Sequence, residues 1–176
     1  METGSREKLM EILKKFRNAM LVTQASHGVL RSRPMALMKV DDATGDIWFM
    51  TSIDSGKVDE IESNPEVNVT LQEEHRYLSL SGRASIVRSR AKIEELWSEE
   101  AKVFFPRGKD DPHLALIHVS PREGEYWDNH GAAGLRFLVE AVKAYVTGTT
   151  PKADSTQHGA VPLSAGQTAN GLTSSR

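Results

Sequence analysis

The sequence predicts a mainly β domain with flanking helices, an antiparallel α+β arrangement whose sheet curls into a small closed or split barrel. Three observations predict it. About seven strand signals fall within roughly 130 residues. Most consecutive strands are joined by turns and not by helical crossovers, which favours antiparallel pairing over a doubly wound sheet. So many short strands in one domain leave edges exposed, and curling the sheet into a barrel removes them.

The elements follow in order. Ser5 is placed to cap a helix whose apolar positions Leu9, Ile12, Leu13, Phe16 and Met20 keep one-face spacing, with Glu7 in its first turn. Leu21 to Gln24 reads as a strand, Ser26-His27-Gly28 as a turn, and Val29 to Val40 as a second strand interrupted by Pro34. A proline cannot donate to a ladder, so Pro34 marks an edge, a bulge or a place where backbone faces a ligand. Asp41 to Asp46 supplies a turn and Ile47 to Thr51 a third strand. Lys57 to Ser63 is a short helix with Val58 and Ile61 inward, ended by Asn64-Pro65. Val67, Val69 and Leu71 alternate along strand four. In strand five, Tyr77 to Val87, Leu78, Leu80, Ala84 and Ile86 share a face, and Gly82 suggests a bend or bulge. Ser89 is placed to cap a helix carrying Ile93, Leu96 and Trp97, closed by Pro106 and Gly108. Leu114 to Val119 and Glu125 to Asp128 are the last strands, and Leu135, Leu138, Val139, Val142 and Val146 line a terminal helix.

Composition divides the chain. All 11 aromatic residues precede Thr149, and 14 of the 28 residues from Thr149 to Arg176 are Gly, Pro, Ser or Thr. A segment so poor in apolar bulk cannot offset its ordering entropy by burial, so residues 1–148 read as the domain and 149–176 as a mobile low-complexity tail. The 22 Lys and Arg against 24 Asp and Glu give a net charge of −2, which argues against a broad nucleic-acid surface. With no cysteine among 176 residues, disulfides, thiolate nucleophiles and cysteine zinc sites are excluded, and any redox chemistry must come from a bound cofactor. The charged N-terminus and the lack of an apolar run near ~20 residues point to a soluble, cytoplasmic protein that neither spans nor needs a membrane.

Common catalytic signatures are missing: no Gly-x-Ser-x-Gly, no Walker loop, no Gly-x-Gly-x-x-Gly opening a helix. The six histidines are scattered, and His113 and His118, five apart on an expected strand, would face opposite sides, so no metal site is expected. The stretch from Arg31 to Lys57 is more informative. Arg33 offers planar donors, Lys57 a point charge, Thr51, Ser52 and Ser55 hydroxyls, and Gly56 room beside free N–H groups at a helix start. Two neighbouring strands and the following helix would bring these parts together on one anion.

The residues Arg33-Pro34-Met35, Trp48-Phe49-Met50-Thr51-Ser52, Ser55-Gly56-Lys57 and Asn64-Pro65-x-Val67 resemble the flavin-binding split-barrel superfamily typified by pyridoxamine 5′-phosphate oxidases. Ser81-Gly82-Arg83-Ala84, Ile93 to Trp97, Phe104-Phe105-Pro106-x-Gly108 and Tyr126-Trp127-Asp128 resemble, more narrowly, its bacterial general stress protein branch. The resemblance covers roughly Arg6 to Val146. It implies a split β-barrel homodimer that holds FMN, or FAD, in a groove between subunits. By position, Arg33 and Lys57 would hold the phosphate with Thr51, Ser52 and Ser55. The backbone of Pro34-Met35-Ala36 and of Phe49-Met50 would run along the ring, and Trp127 would be the aromatic that the partner subunit brings to it.

The chain also departs from the oxidases. Tyr126-Trp127-Asp128 leads into Asn129-His130-Gly131 without their basic substrate-gripping motif, and Arg136 alone is a weak substitute. Vitamin B6 oxidation is therefore not expected. Two functions remain open: a flavin-dependent oxidoreductase of the stress response, taking electrons from a nicotinamide or other small reductant, or a non-catalytic protein that holds or senses flavin. A deazaflavin would want a richer basic groove, and haem an axial histidine.

Overall fold

Leu9, Ile12 and Leu13 recur at helical spacing, and they form the buried side of α1, Glu2–Leu13, in the computed structural model, which describes residues 2–73, 75–128 and 158–163. Ser5 lies inside this helix and does not begin it. The helix also stops earlier than its apolar spacing suggests, closing through the bonds Lys15 N–H to Ile12 O and Phe16 N–H to Leu13 O. Met20 belongs instead to β1, Asn18–Gln24, where it faces out while Ala19, Leu21 and Thr23 are buried. A separation of four residues, as from Phe16 to Met20, fits the helical and the strand period alike, and this is why the two elements merge in the sequence.

The run read as one strand from Val29 to Val40 is two: β2, Leu30–Ala36, and β3, Lys39–Val40. β4, Ile47–Ser52, α2, Gly56–Ser63, β5, Glu66–Glu73, and β6, Arg76–Val87, lie close to where their patterns put them. The third helix is shorter than read. α3, Arg90–Leu96, has Ser89 accepting from Lys92 N–H as its cap, and beyond it come two 3₁₀ turns, Glu99–Val103 and Gly108–Asp110, so Trp97 sits just past the helix.

The two final strands are one, β7, Leu114–Asp128. Pro121 interrupts the apolar pattern, yet pairing continues across a register shift between Ser81 and Gly82. A Cβ on Gly82 would fall 2.3 Å from Ser120 O, so only glycine allows the two backbones this close at the bulge. His113 lies just before this strand. The terminal helix read over Leu135 to Val146 lies outside the described residues. Within the segment read as a tail, β8, His158–Pro162, pairs with Glu123–Trp127 of β7 and buries Val161. Five residues of low apolar content order there because they complete an existing sheet edge and need no core of their own.

All pairings are antiparallel, in the order β2-β1-β5-β6-β7-β4-β3, with β8 joining β7 off this path. The sheet curls into the half-barrel of a split-barrel protein, and the expected fold class holds. Its two outermost strands, β2 and β3, are separated by Leu37 and Met38 alone, so the chain steps directly from one edge to the other. That step is tied down by Leu37 N–H to Arg17 O and Met38 N–H to Trp48 O, each 2.9 Å. Pro34 therefore sits on an edge strand, where its missing donor costs least.

The interior is filled by Leu9, Ile12 and Leu13 of α1 against Leu21, Phe49, Leu80, Ile117 and Tyr126. A second cluster of Ile93, Leu96, Phe105, Leu114 and Leu116 holds α3 and the following turn on the other face of β4 and β7. Leu114 to Ile117 is a continuous apolar run because that half of β7 is covered on both faces. No described helix is long and apolar enough to cross a membrane.

Candidate functional site

A cavity of about 1070 Å³ opens where the two edges of the sheet meet, slightly above the ~300–1,000 Å³ of clefts that bury a small ligand. One wall is made of strand: residues 33–39 on β2, the step and β3, residues 50–52 on β4, and Lys57 of α2. The facing wall is the end of α3 with the 3₁₀ turn after it, where Leu96, Trp97, Phe104 and Phe105 make the surface apolar. Lys39 spans the two walls, its Nζ lying 2.6 Å from Glu95 Oε1.

One corner of the strand wall is cationic, and its charges are held very differently. Arg31 and Arg33 lie two apart on β2 and therefore on one face. Each reaches Glu60 of α2, at 2.9 and 2.7 Å. Thr23 of β1 donates to the same carboxylate at 2.5 Å and accepts from Arg33 Nη1, which also donates to Leu21 O at 3.4 Å. Glu60 is only 8% exposed. Burial pushes its carboxyl up, but the hydrogen bonds from Thr23, Arg33 and Arg31 together outweigh this and hold it below the usual carboxylate range. The clamp occupies both Nη atoms of Arg33, and among the described residues Nε has no acceptor. One planar edge of the guanidinium is thus fixed and the other remains available to an anion.

Lys57 has no such partner. Its Nζ donates to Thr51 Oγ1 at 3.1 Å and pairs with no carboxylate among the described residues. Burial lowers its pKa, the Arg33 guanidinium lowers it further, and Glu60 opposes only in part. Such an ammonium gains more than an exposed one when an anion arrives. Ser55 braces the corner, its hydroxyl 3.1 Å from Thr51 Oγ1 and donating to Ser52 O at 2.7 Å.

Residues 4–152 match the family described as pyridoxamine 5′-phosphate oxidase like. The chain belongs to this family. Among curated relatives of this oxidase-like chain, general stress protein 26 of Bacillus subtilis is 29% identical over 123 residues, 67% of this chain and 84% of that protein. Among solved structures, one assigned to general stress protein 26 from Jannaschia sp. CCS1 is 28% identical with a TM-score of 0.68, covering 89% of this chain and 97% of its own. The general stress FMN/FAD binding protein of Xanthomonas citri is 26% identical with a TM-score of 0.63, covering 73% and 92%. Both the split-barrel family and its general stress branch thus emerge as the sequence motifs imply.

In this oxidase-like barrel, eight of the twelve expected site residues line the cavity: Arg33, Pro34, Met35, Ala36, Met50, Thr51, Ser52 and Lys57. The other four do not. Phe49 is fully buried in the barrel interior, so only its backbone runs beside the cavity wall. Ser55 acts through Thr51 and Ser52. A Cβ on Gly56 would meet nothing within 4 Å, so the chain alone does not require glycine there. Trp127 lies at the far end of β7, stacked on His158 at 5.1 Å, and is not among the residues that line this cavity. Asn129, His130, Gly131 and Arg136 fall outside the described residues.

The oxidase-like site also contains residues that sequence reasoning passed over. Glu60 is the main one. A glutamate on a short helix reads as solvated, yet Glu60 adjoins the inward Ile61 and lies three residues from Lys57, which is the signal that could have placed it. The apolar wall is the other, and Phe104-Phe105 just after a helix marks it. His118 and His113 serve local contacts. His118 Nε2 is 2.9 Å from Asp46 and its ring stacks on Trp48 at 4.3 Å, while His113 pairs with Asp54.

Proposed function

We propose that the cavity binds FMN, with FAD as the larger variant, at the interface of a homodimer, and that the protein is a cytoplasmic flavin-dependent oxidoreductase of the stress response. The observation that carries this reading is the cationic corner. Among the described residues Arg33 presents an Nε edge with no acceptor beside Lys57, an ammonium that pairs with no carboxylate, and the hydroxyls of Thr51 and Ser52 lie along the same wall. These donors suit a phosphate dianion, and Glu60 keeps the Arg33 fork from collapsing onto it in a random orientation. The extended backbone of residues 34–36 and the Phe49-Met50 segment would flank the flat ring, and a second copy would bring Trp127 to it. A bound flavin supplies hydride and electron transfer, which a chain without cysteine cannot supply itself. The binding of FMN/FAD by the Xanthomonas citri relative supports the same assignment.

The test compares FMN with riboflavin, which lacks the phosphate. Replacing Arg33 and Lys57 together by Ala removes two charge-assisted contacts worth roughly 1.5–3 kcal/mol each, so FMN affinity drops to near that of riboflavin while riboflavin binding is little changed. Unchanged FMN affinity in the double variant overturns the site. Light scattering should give twice 19.5 kDa, and a monomer removes the inter-subunit groove. Flavin-loaded protein should oxidise a reduced nicotinamide in air faster than free flavin does. Equal rates leave a flavin-holding stress protein and exclude the oxidoreductase.

A further inference from the structure

Eight lysines fall among the described residues, and they are not chemically alike. Lys8, Lys14, Lys15, Lys39, Lys92 and Lys102 each pair with a carboxylate, so each amine is already engaged by a counter-charge. Lys109 is exposed and unpaired among the described residues. Lys57 alone combines three properties: it is half-buried, it lines a cavity, and its hydrogen-bond partner is a neutral hydroxyl. The neighbouring guanidinium of Arg33 repels its proton, and Glu60 is committed to Arg31, Arg33 and Thr23. A lysine desolvated beside another cation is an activated nucleophile. Here the activating cation is also part of an anion cradle, so an electrophile that carries its own phosphate would be delivered to the amine.

We infer that Lys57 is a modification site for acyl phosphates, whose phosphate seats on Arg33, Thr51 and Ser52 while the acyl group passes to Lys57 Nζ. The neutral amine forms a bond to the carbonyl carbon, and the carbon–oxygen bond to phosphate breaks with its electron pair. Inorganic phosphate leaves, stabilised by Arg33, and the nitrogen's surplus proton passes to that phosphate or to water. Nothing is oxidised or reduced. The product is an uncharged amide in place of one cation of the corner, so the modified protein holds phosphorylated ligands less well. As a control on cofactor loading this rests on the flavin reading above. The acyl transfer itself rests only on the cradle and the amine.

The full chain, freed of bound ligand, is incubated with acetyl phosphate, and acetylation at each lysine is followed in time by peptide mass spectrometry. Lys57 should react about tenfold faster than Lys109, as expected of a half-buried amine beside a guanidinium that also seats the reagent's phosphate. Inorganic phosphate and FMN should each slow Lys57 without affecting Lys109. With p-nitrophenyl acetate, which has no phosphate to dock, phosphate should give no protection. The Arg33→Gln variant should lose the preference for Lys57. Equal rates at Lys57 and Lys109, or a Lys57 rate indifferent to phosphate, overturn the inference. Protection by phosphate but not by FMN upholds it and sinks the flavin assignment. Tight FMN binding with an unreactive Lys57 does the reverse.

Discussion

The two walls of the cavity are built on different foundations. The strand wall belongs to the barrel, where Phe49 of β4 is wholly buried among α1, β6 and β7 and the cationic corner is fixed by the Glu60 clamp. The facing wall hangs on the five buried residues of the smaller cluster, and its turn leaves Val103 and Phe104 79% and 76% exposed while Phe105 is 8% exposed. Rigid backing lies behind the charges, which suits the fixed geometry that the proposed phosphate contact would need. The smaller backing lies behind the apolar surface, where a change of shape would leave the cationic corner in place. On the proposed reading, the difference would divide anchoring and selection of the ligand between separate parts of the molecule.

Four substitutions test that contrast, and they differ in size. Phe49→Ala empties the interior behind the strand wall and should cost about 3–5 kcal/mol in urea denaturation. A loss under about 1 kcal/mol would show that β4 is not the anchor. Leu96→Ala, in the smaller cluster, should cost about 2 kcal/mol, the low end for a leucine that surroundings can partly replace. A loss as large as that of Phe49→Ala would erase the distinction between the walls.

Glu60→Gln should cost roughly 1.5 kcal/mol at neutral pH, the lower range for hydrogen bonds to charged groups. The carboxyl titrates below its ordinary value of ~4.3, so this contribution is complete above that pH and fades as pH falls through the lowered folded-state value. Stability curves of the variant and the parent should therefore converge in acid, and a gap that persists there means the clamp is not electrostatic. Phe104→Ala should shift stability by no more than ~0.5 kcal/mol, as for other exposed positions. A melting temperature well below the parent's would mean that the turn leans on this ring.

Much of the fold was legible because alternation along β4, β5 and β6 is strict and their turns are marked. The failures share a cause: positions where two periods agree or where pairing ignores composition. Phe16 and Met20 fit helix and strand equally. β2 and β3 read as one run because the step at Leu37-Met38 is itself apolar and contains no turn residue. β7 read as two strands because Pro121 and Gly124 look like punctuation, although Gly82 on β6 supplies the slack that lets the ladder continue. At the site, Arg33 and Lys57 were visible as cations with no apolar pattern to explain them. Glu60 was not, because its meaning depends on Thr23 and Arg31, which are brought to it from β1 and β2 only by folding.

β8 has a practical consequence for anyone handling the protein. Gly159 lies so close to Tyr126 that a Cβ would fall 2.7 Å from its ring, and Val161 fills a place in the interior. Shortening the chain to remove its low-complexity end would strip this cover and leave the Glu123–Trp127 stretch of β7 with a row of unpaired donors and acceptors. Such a row is a template for a strand from another molecule. A trimmed version made for crystals or for tagging should stop no earlier than Leu163, or it will exchange solubility for fibrous or swapped assemblies.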